Sequence, residues 1–233
     1  MRKALQLILA TLLLAATTLA SADAQAATAW AEGKHYFLLE PRQSTSVGPG
    51  KIEVTEAFSY GCPACNTFYP IADQLKKSLP PSAQMVYLPA SFNQAENWPM
   101  FQRAFCTAQA LGLVERTHDA MFDAIWKTGE LAIVDAKTGR LVKTMPTIED
   151  AAKFYARVGG VKAEDFVATA KSFGVDAAMR RADQLMKNYK VPGTPTIIVN
   201  GRYRLDASSA GGYSQLLELV NWLVAKEAQQ TAK

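Results

Sequence analysis

The chain has 233 residues, 49% of them apolar, with 25 lysines and arginines against 21 aspartates and glutamates. That is enough apolar mass for a full core in one domain, or in one domain carrying a large insertion, and the absence of a basic cluster argues against a nucleic-acid partner. Three cysteines are too few for a disulfide framework, so the two that stand at the Cys-x-x-Cys spacing point to chemistry rather than to stapling.

Residues 1–26 read as a secretory signal: Arg2-Lys3, an apolar run from Ala4 to Ala20, then the small-residue patterns Ala22-Asp23-Ala24 and Ala24-Gln25-Ala26. Cleavage is expected after Ala26, and the run is short for a membrane anchor. The mature protein is therefore expected in an oxidising compartment. His35 to Leu39 is a plausible edge strand, followed by a loop from Pro41 to Gly50. Lys51 to Phe58 alternates apolar and polar residues in a strand's period of two. Phe68, Ile71, Ala72, Leu75 and Leu79 then mark one face of a helix that runs to Pro80-Pro81, with Pro63 at its first position. Gln84 to Leu88 is a short strand, which makes strand, helix and strand a right-handed parallel crossover.

From Asn97 to Tyr189 the periodicity is helical. Phe101, Ala104, Phe105, Ala108 and Leu111 mark one helix, and Val114, His118, Met121 and Ile125 a second. Thr147 caps a third through Val158, a fourth covers Ala163 to Phe173, and a fifth shows Ala178, Ala182, Leu185, Met186 and Tyr189 on one face. Between the second and third, residues 131–145 read as a small hairpin. The β pattern returns at Thr196 to Val199, where Asn200-Gly201 suits a type I′ turn into Arg202 to Leu205, and a last helix carries Leu216, Leu219, Val220 and Leu223. Without residues 90–190 the order is strand, helix, strand, hairpin, helix. The expectation is an α/β protein with a thioredoxin-like fold, residues 27–89 and 191–233, and an inserted helical domain at 90–190.

Cys62-Pro63-Ala64-Cys65 thus falls where a strand turns into a helix. Cys62 sits at the helix N-terminus, where unpaired N–H groups and the positive end of the macrodipole favour a thiolate, and Cys65 lies one turn further in. This asymmetry makes Cys62 the sulfur that attacks or is attacked, and Cys65 the one that resolves the mixed disulfide. A zinc site built from Cys62, Cys65, Cys106 and His118 is the rival from another class, but the spacing from Cys106 to His118 fits no common ligand pair. A peptide-binding chaperone with incidental thiols is a third reading. Cys106 itself reads as a buried, inert thiol rather than an exposed one, and His118 as a partly buried side chain on an apolar stripe.

Three segments, Lys51 to Cys65, Val191 to Tyr203 and the helices between them, resemble the DsbA family of periplasmic thiol:disulfide oxidoreductases over nearly the whole mature chain. The resemblance implies a redox-active Cys62-Cys65 disulfide donated to unfolded or newly exported cysteine-containing proteins, and reoxidation by a quinone-linked membrane partner of the DsbB type. No cofactor or metal is expected. Cys62 resembles the family's exposed nucleophile and Cys65 its buried resolver. Pro195 resembles the cis-proline facing the disulfide, with Thr194 before it; the alternative is a trans proline opening an edge strand. Glu56 matches the family's acidic residue, and would either point inward to move the Cys65 proton or lie on the surface of the strand. Pro63-Ala64 stands where the best-known members carry Pro-His, so Ala64 departs from their histidine, and Thr194 departs from the valine frequent in oxidases. The same fold run as a reductase or isomerase is the nearest alternative.

Overall fold

The computed structural model describes residues 30 to 231; the predicted signal segment lies outside them. Five strands form one mixed sheet in the order β1-β5-β4-β2-β3, with β1 at Phe37–Leu38, β2 at Ile52–Phe58, β3 at Ala83–Pro89, β4 at Thr196–Val199 and β5 at Tyr203–Leu205. β2 and β3 run parallel with Glu56 opposite Tyr87, while β4 runs antiparallel to β2 with Ile197 opposite Glu56. Helix α1, Pro63–Ser78, makes the crossover between β2 and β3. Helices α2 (Trp98–Ala110), α3 (Val114–Trp126), α4 (Ile148–Gly159), α5 (Ala163–Ala170) and α6 (Phe173–Asn188) all fall between β3 and β4. A short α7 (Ala207–Ala210) and the long α8 (Tyr213–Thr231) close the described chain.

The alternation in β2 leads one to expect a polar, wet face, yet every residue from Ile52 to Phe58 is buried. The reason is that both faces are covered. Glu53 and Thr55 look toward Cys106 of α2 and Ala178 and Leu185 of α6 across a small cavity. Glu53 is satisfied there: its carboxylate accepts from the Ser46 N–H and hydroxyl, each at 2.6 Å, and from the Thr55 hydroxyl at 2.9 Å. Glu56 looks the other way, toward α1 and Cys65, and α8 packs on β2 and β4. Phe68 of α1 meets Tyr213 of α8 with ring centroids 5.6 Å apart.

One aromatic core joins the strand layer to the helical layer. Phe58 at the end of β2 packs edge to face with Tyr60, Phe105 and His118, at 5.1, 5.2 and 5.1 Å. Phe122 lies 5.1 Å from Tyr60, and the His118 ring stacks on Tyr87 at 4.1 Å. His118 shares a 2.9 Å hydrogen bond with the Tyr60 hydroxyl. Burial, and then the charge of Lys76, push its pKa down to about 3, so it is a neutral core side chain.

Several boundaries differ from expectation. The edge strand is only two residues long. Helix α5 stops at Ala170 rather than running to Phe173, because the Ser172 hydroxyl accepts from the Val175 N–H at 3.3 Å and starts α6 there. The hairpin expected at 131–145 is reduced to one bridge, Val134 with Leu141, around a turn in which the Asp135 carboxylate accepts from the Thr138 N–H at 2.8 Å. Thr147 caps α4 in a reciprocal box with Asp150.

The Asn200-Gly201 turn has φ of 54° and 63°, the left-handed pair that type I′ requires, and the Arg202 N–H closes it on the Val199 carbonyl at 3.0 Å. A Cβ on Gly201 would collide with the Gln43 carbonyl oxygen. Gly201→Ala is therefore expected to cost about 2 to 4 kcal/mol, since backbone strain and a clash with main chain add. Chemical denaturation of the two proteins checks this, and a loss under about 1 kcal/mol would count against the turn as described.

Candidate active site

The C-terminal ends of the parallel strands β2 and β3 open at one edge of the sheet, and the loops that leave them meet there. β2 runs through Ser59, Tyr60 and Gly61 into Cys62, which is the N-cap of α1 with Pro63 at N1. Pro lacks the N–H that this position would leave unpaired, so helix and motif begin together. The Trp126 indole donates to the Tyr60 carbonyl at 2.9 Å and fixes the turn from the helical side. Gly61 has no side chain because there is no room for one. A Cβ there would stand 2.7 Å from the Glu96 carbonyl oxygen and 2.8 Å from Trp98 Cδ1.

Across from Cys62, the peptide bond Thr194-Pro195 is cis. The Thr194 carbonyl accepts from the Cys62 thiol, Sγ to O 3.4 Å. Pro63 and Ala64 are exposed, and Thr194 and Pro195 are half-buried. Cys65 is fully buried, but Cys62 is only 6% exposed rather than open to solvent. The cause is that the Thr194 carbonyl covers the sulfur at 3.4 Å while Trp98 packs on the adjoining Gly61. Cys62, Cys65 and Cys106 are all thiols in this structure.

The two sulfurs of the motif are electrostatically unlike. A hydrogen bond from the Cys65 thiol, then Thr194 and the N–H groups of Cys65 and Ala64, bring the Cys62 pKa from 9.0 to about 6 against the opposing pull of burial. The Thr194 hydroxyl has no partner while Cys62 is a thiol, and is placed to donate once it ionises. Burial first, then the hydrogen bond it gives to Cys62 and the negative charges of Cys62 and Glu56, push the Cys65 thiol well up. Cys62 is thus mostly thiolate at neutral pH and Cys65 is not.

Glu56 is buried at 1% exposure, which decides between the two orientations open to it. Burial, then the charges of Cys62 and Asp119, raise its pKa from 4.5 to about 8. One of its oxygens, Oε2, has no hydrogen-bond partner. It is a neutral acid beside Cys65 at neutral pH, able to give a proton to a departing thiolate and take one back. Cys106 lies far from this chemistry in α2. It is 3% exposed with its pKa pushed up to about 12 by burial, and His118 is tied into the aromatic core. Among the described residues no group of three or more His, Cys, Asp or Glu could hold a metal. Trp98, Glu96 and Trp126 are site residues that motif reading did not reach. The signal available was topological: the loop after β3 leaves the same sheet edge as Cys62.

A strand-to-helix dithiol with one stabilised thiolate, facing a cis-proline loop on a thioredoxin-like sheet, defines a thiol:disulfide exchange protein. Comparison with known proteins gives the narrower answer. A model described as a DSBA-like thioredoxin domain matches residues 72–218. The thiol:disulfide interchange protein DsbA of Pseudomonas syringae pv. tomato is 37% identical over 214 residues, covering 92% of each chain. That of Pseudomonas aeruginosa is 36% identical and covers 97% of this chain and 99% of its own. The crystal structure of P. aeruginosa DsbA aligns with a TM-score of 0.72 over 88% of this chain and 97% of that one. The oxidoreductase DsbA from Xylella fastidiosa, 30% identical, also gives 0.72. The chain belongs to the DsbA family, and it is a disulfide oxidoreductase.

Proposed function

We propose that this oxidoreductase works as a disulfide donor to exported proteins in the periplasm, acting as a monomer. A substrate thiolate attacks Cys62 Sγ of the Cys62-Cys65 disulfide, and the bond to Cys65 breaks. Cys65 leaves as a thiolate and takes the proton of Glu56. A second substrate thiolate then attacks the substrate sulfur of the mixed disulfide, closing the substrate's own disulfide and releasing Cys62 as a thiolate. Reoxidation by a quinone-linked membrane partner of the DsbB type removes the two electrons and resets the pair.

The observation that carries this reading is the low pKa of Cys62 beside the high pKa of Cys65. A leaving group that is stable as a thiolate favours reduction of the protein's own disulfide, and so makes that disulfide an oxidant. The stabilisation comes from hydrogen bonds, since Ala64 brings no charge. A less oxidising protein than one with histidine at that position is expected, with about 30 mV for each 1.4 kcal/mol of thiolate stabilisation lost. Equilibration of the mature protein with glutathione buffers, read by alkylation of Cys62 and Cys65, tests the direction. A potential above the glutathione poise is the expected result; one near thioredoxin's, about −270 mV, would make the protein a reductase instead.

A further inference from the structure

Cys62 lies between two walls. One is a groove of 310 Å³ along Pro192 to Thr196, in which Asp206 is the one charged lining residue and Tyr213 closes the far side. The other begins at Trp98, buried against Gly61. The Trp98 indole donates to Glu96 Oε2 at 3.0 Å, and Phe92, 56% exposed, rests on the Trp98 ring with centroids 4.8 Å apart. The Glu96 main-chain carbonyl packs on Gly61, the residue that precedes the reacting cysteine, and the Glu96 carboxylate is tied to the indole that packs there with it. Phe92 spreads an open aromatic face next to it. Neither lysine nor arginine lines the groove across the way, where the Asp206 carboxylate is fixed as the N-cap of α7 by accepting from the Ser209 N–H at 2.8 Å, so an incoming segment meets a held carboxylate on either side.

We propose that Glu96, aided by Asp206, is a specificity-determining residue that selects substrate segments carrying a basic residue beside the reacting cysteine, with Phe92 receiving an apolar neighbour. This rests on the reading that Cys62 exchanges with protein sulfurs. Because surface charges are screened beyond about 8 Å at physiological salt, the preference extends only to residues adjacent to the cysteine. An immobilised carboxylate also loses less side-chain freedom on pairing than a free one does.

The test uses the Cys65→Ser protein and two peptides activated as 2-thiopyridyl disulfides, identical except for lysine or glutamate on both sides of the cysteine. The Cys62 thiolate attacks the peptide sulfur, the Cys62-peptide disulfide forms and thiopyridone leaves. Its release reads the encounter whichever way electrons flow in the cell. Relative to the same two peptides reacting with a small free thiol, the lysine peptide is expected to be faster by about threefold at low salt. Glu96→Gln keeps an oxygen for the Trp98 indole and removes only the charge, so the ratio should fall toward that of the free thiol, as it should in high salt. A wild-type ratio equal to the free thiol's, or one that Glu96→Gln leaves unchanged, overturns the proposal. Failure of either peptide to react at all would overturn the functional reading and the proposal with it, and is distinct from a flat ratio.

Discussion

Cys65→Ser is expected to arrest the protein as a stable mixed disulfide through Cys62, and Cys62→Ser to abolish disulfide exchange altogether. The geometry separates the two outcomes. Cys62 is the sulfur with some exposure and a pKa near 6, so it alone can meet a substrate as a thiolate. Cys65 has no exposure and a raised pKa, so it reacts only with a sulfur already joined to Cys62. Deleting the resolver therefore leaves capture of a substrate disulfide by the Cys62 thiolate intact and removes the internal attack that would free the protein from it. Deleting the nucleophile should lower the rate of oxidation of a reduced model protein by at least about 10⁴-fold, the scale seen when a covalent nucleophile is removed. Non-reducing electrophoresis of each variant with a disulfide-linked peptide pair distinguishes them, because the Cys62 thiolate displaces one peptide thiolate as it bonds to the other sulfur. Retention of a hundredth or more of the wild-type rate by Cys62→Ser would assign the entry point to another sulfur.

Glu56→Gln should make the oxidised protein more stable at neutral pH and slower to form its mixed disulfide with substrate. With Cys62 ionised the carboxyl has a pKa of about 8 in the fold against 4.5 for an exposed glutamate, and burial, the largest cause, keeps it raised in the oxidised form. Between those values the native state holds a proton that the unfolded chain has released, so stability falls as pH rises from about 4.5 to about 8 and is level above. At pH 7 the cost of keeping this acid buried is about 3 kcal/mol, at 1.36 kcal/mol per unit. Glutamine removes it and should flatten the profile over that window. The oxidised form is the one to measure, because in the reduced form Cys62 titrates the opposite way: its pKa is lowered by folding, and its contribution grows with pH above about 6. Loss of the proton donor should slow the step in which Cys65 leaves by about 10²-fold, read by quenched-flow trapping of the mixed disulfide. A variant whose denaturation midpoints at pH 5 and pH 8 differ as much as those of the wild type would remove Glu56 from this account.

Much of the fold was legible because its determinants are local. The step from a period of two to a period near four around Cys62, with Pro63 at the junction, needs no tertiary information. Nor does the Asn200-Gly201 turn, whose backbone only those residue types adopt easily. Ser172 is legible in principle as a cap, but the apolar stripe continues past it to Phe173. The burial of Glu53 and Glu56 was not legible, since an alternating strand looks the same whether its polar face meets water or a second layer. What hides Glu53 is a loop hydroxyl at Ser46 and a helix from much further along the chain. The near burial of Cys62 has a similar origin, with Thr194 arriving from the loop before β4 and Trp98, at the start of α2, packing on the adjoining Gly61. Glu40-Pro41 is cis as well, and nothing in the motif pattern marked it.

The rings that surround Phe58 and Tyr60 come from α2 and α3, which has a bearing on how such a protein can be reshaped. A shortened chain that kept only the strands, α1, α7 and α8 would retain both cysteines and the cis-proline loop. It would also open a slab of aromatic surface directly under the reactive turn and release the Tyr60 carbonyl from Trp126. The helical layer is thus part of the floor beneath the sulfurs. Engineering of substrate range has more freedom at the rim formed by residues 91–97 and 206–208 than at any seam between sheet and helices.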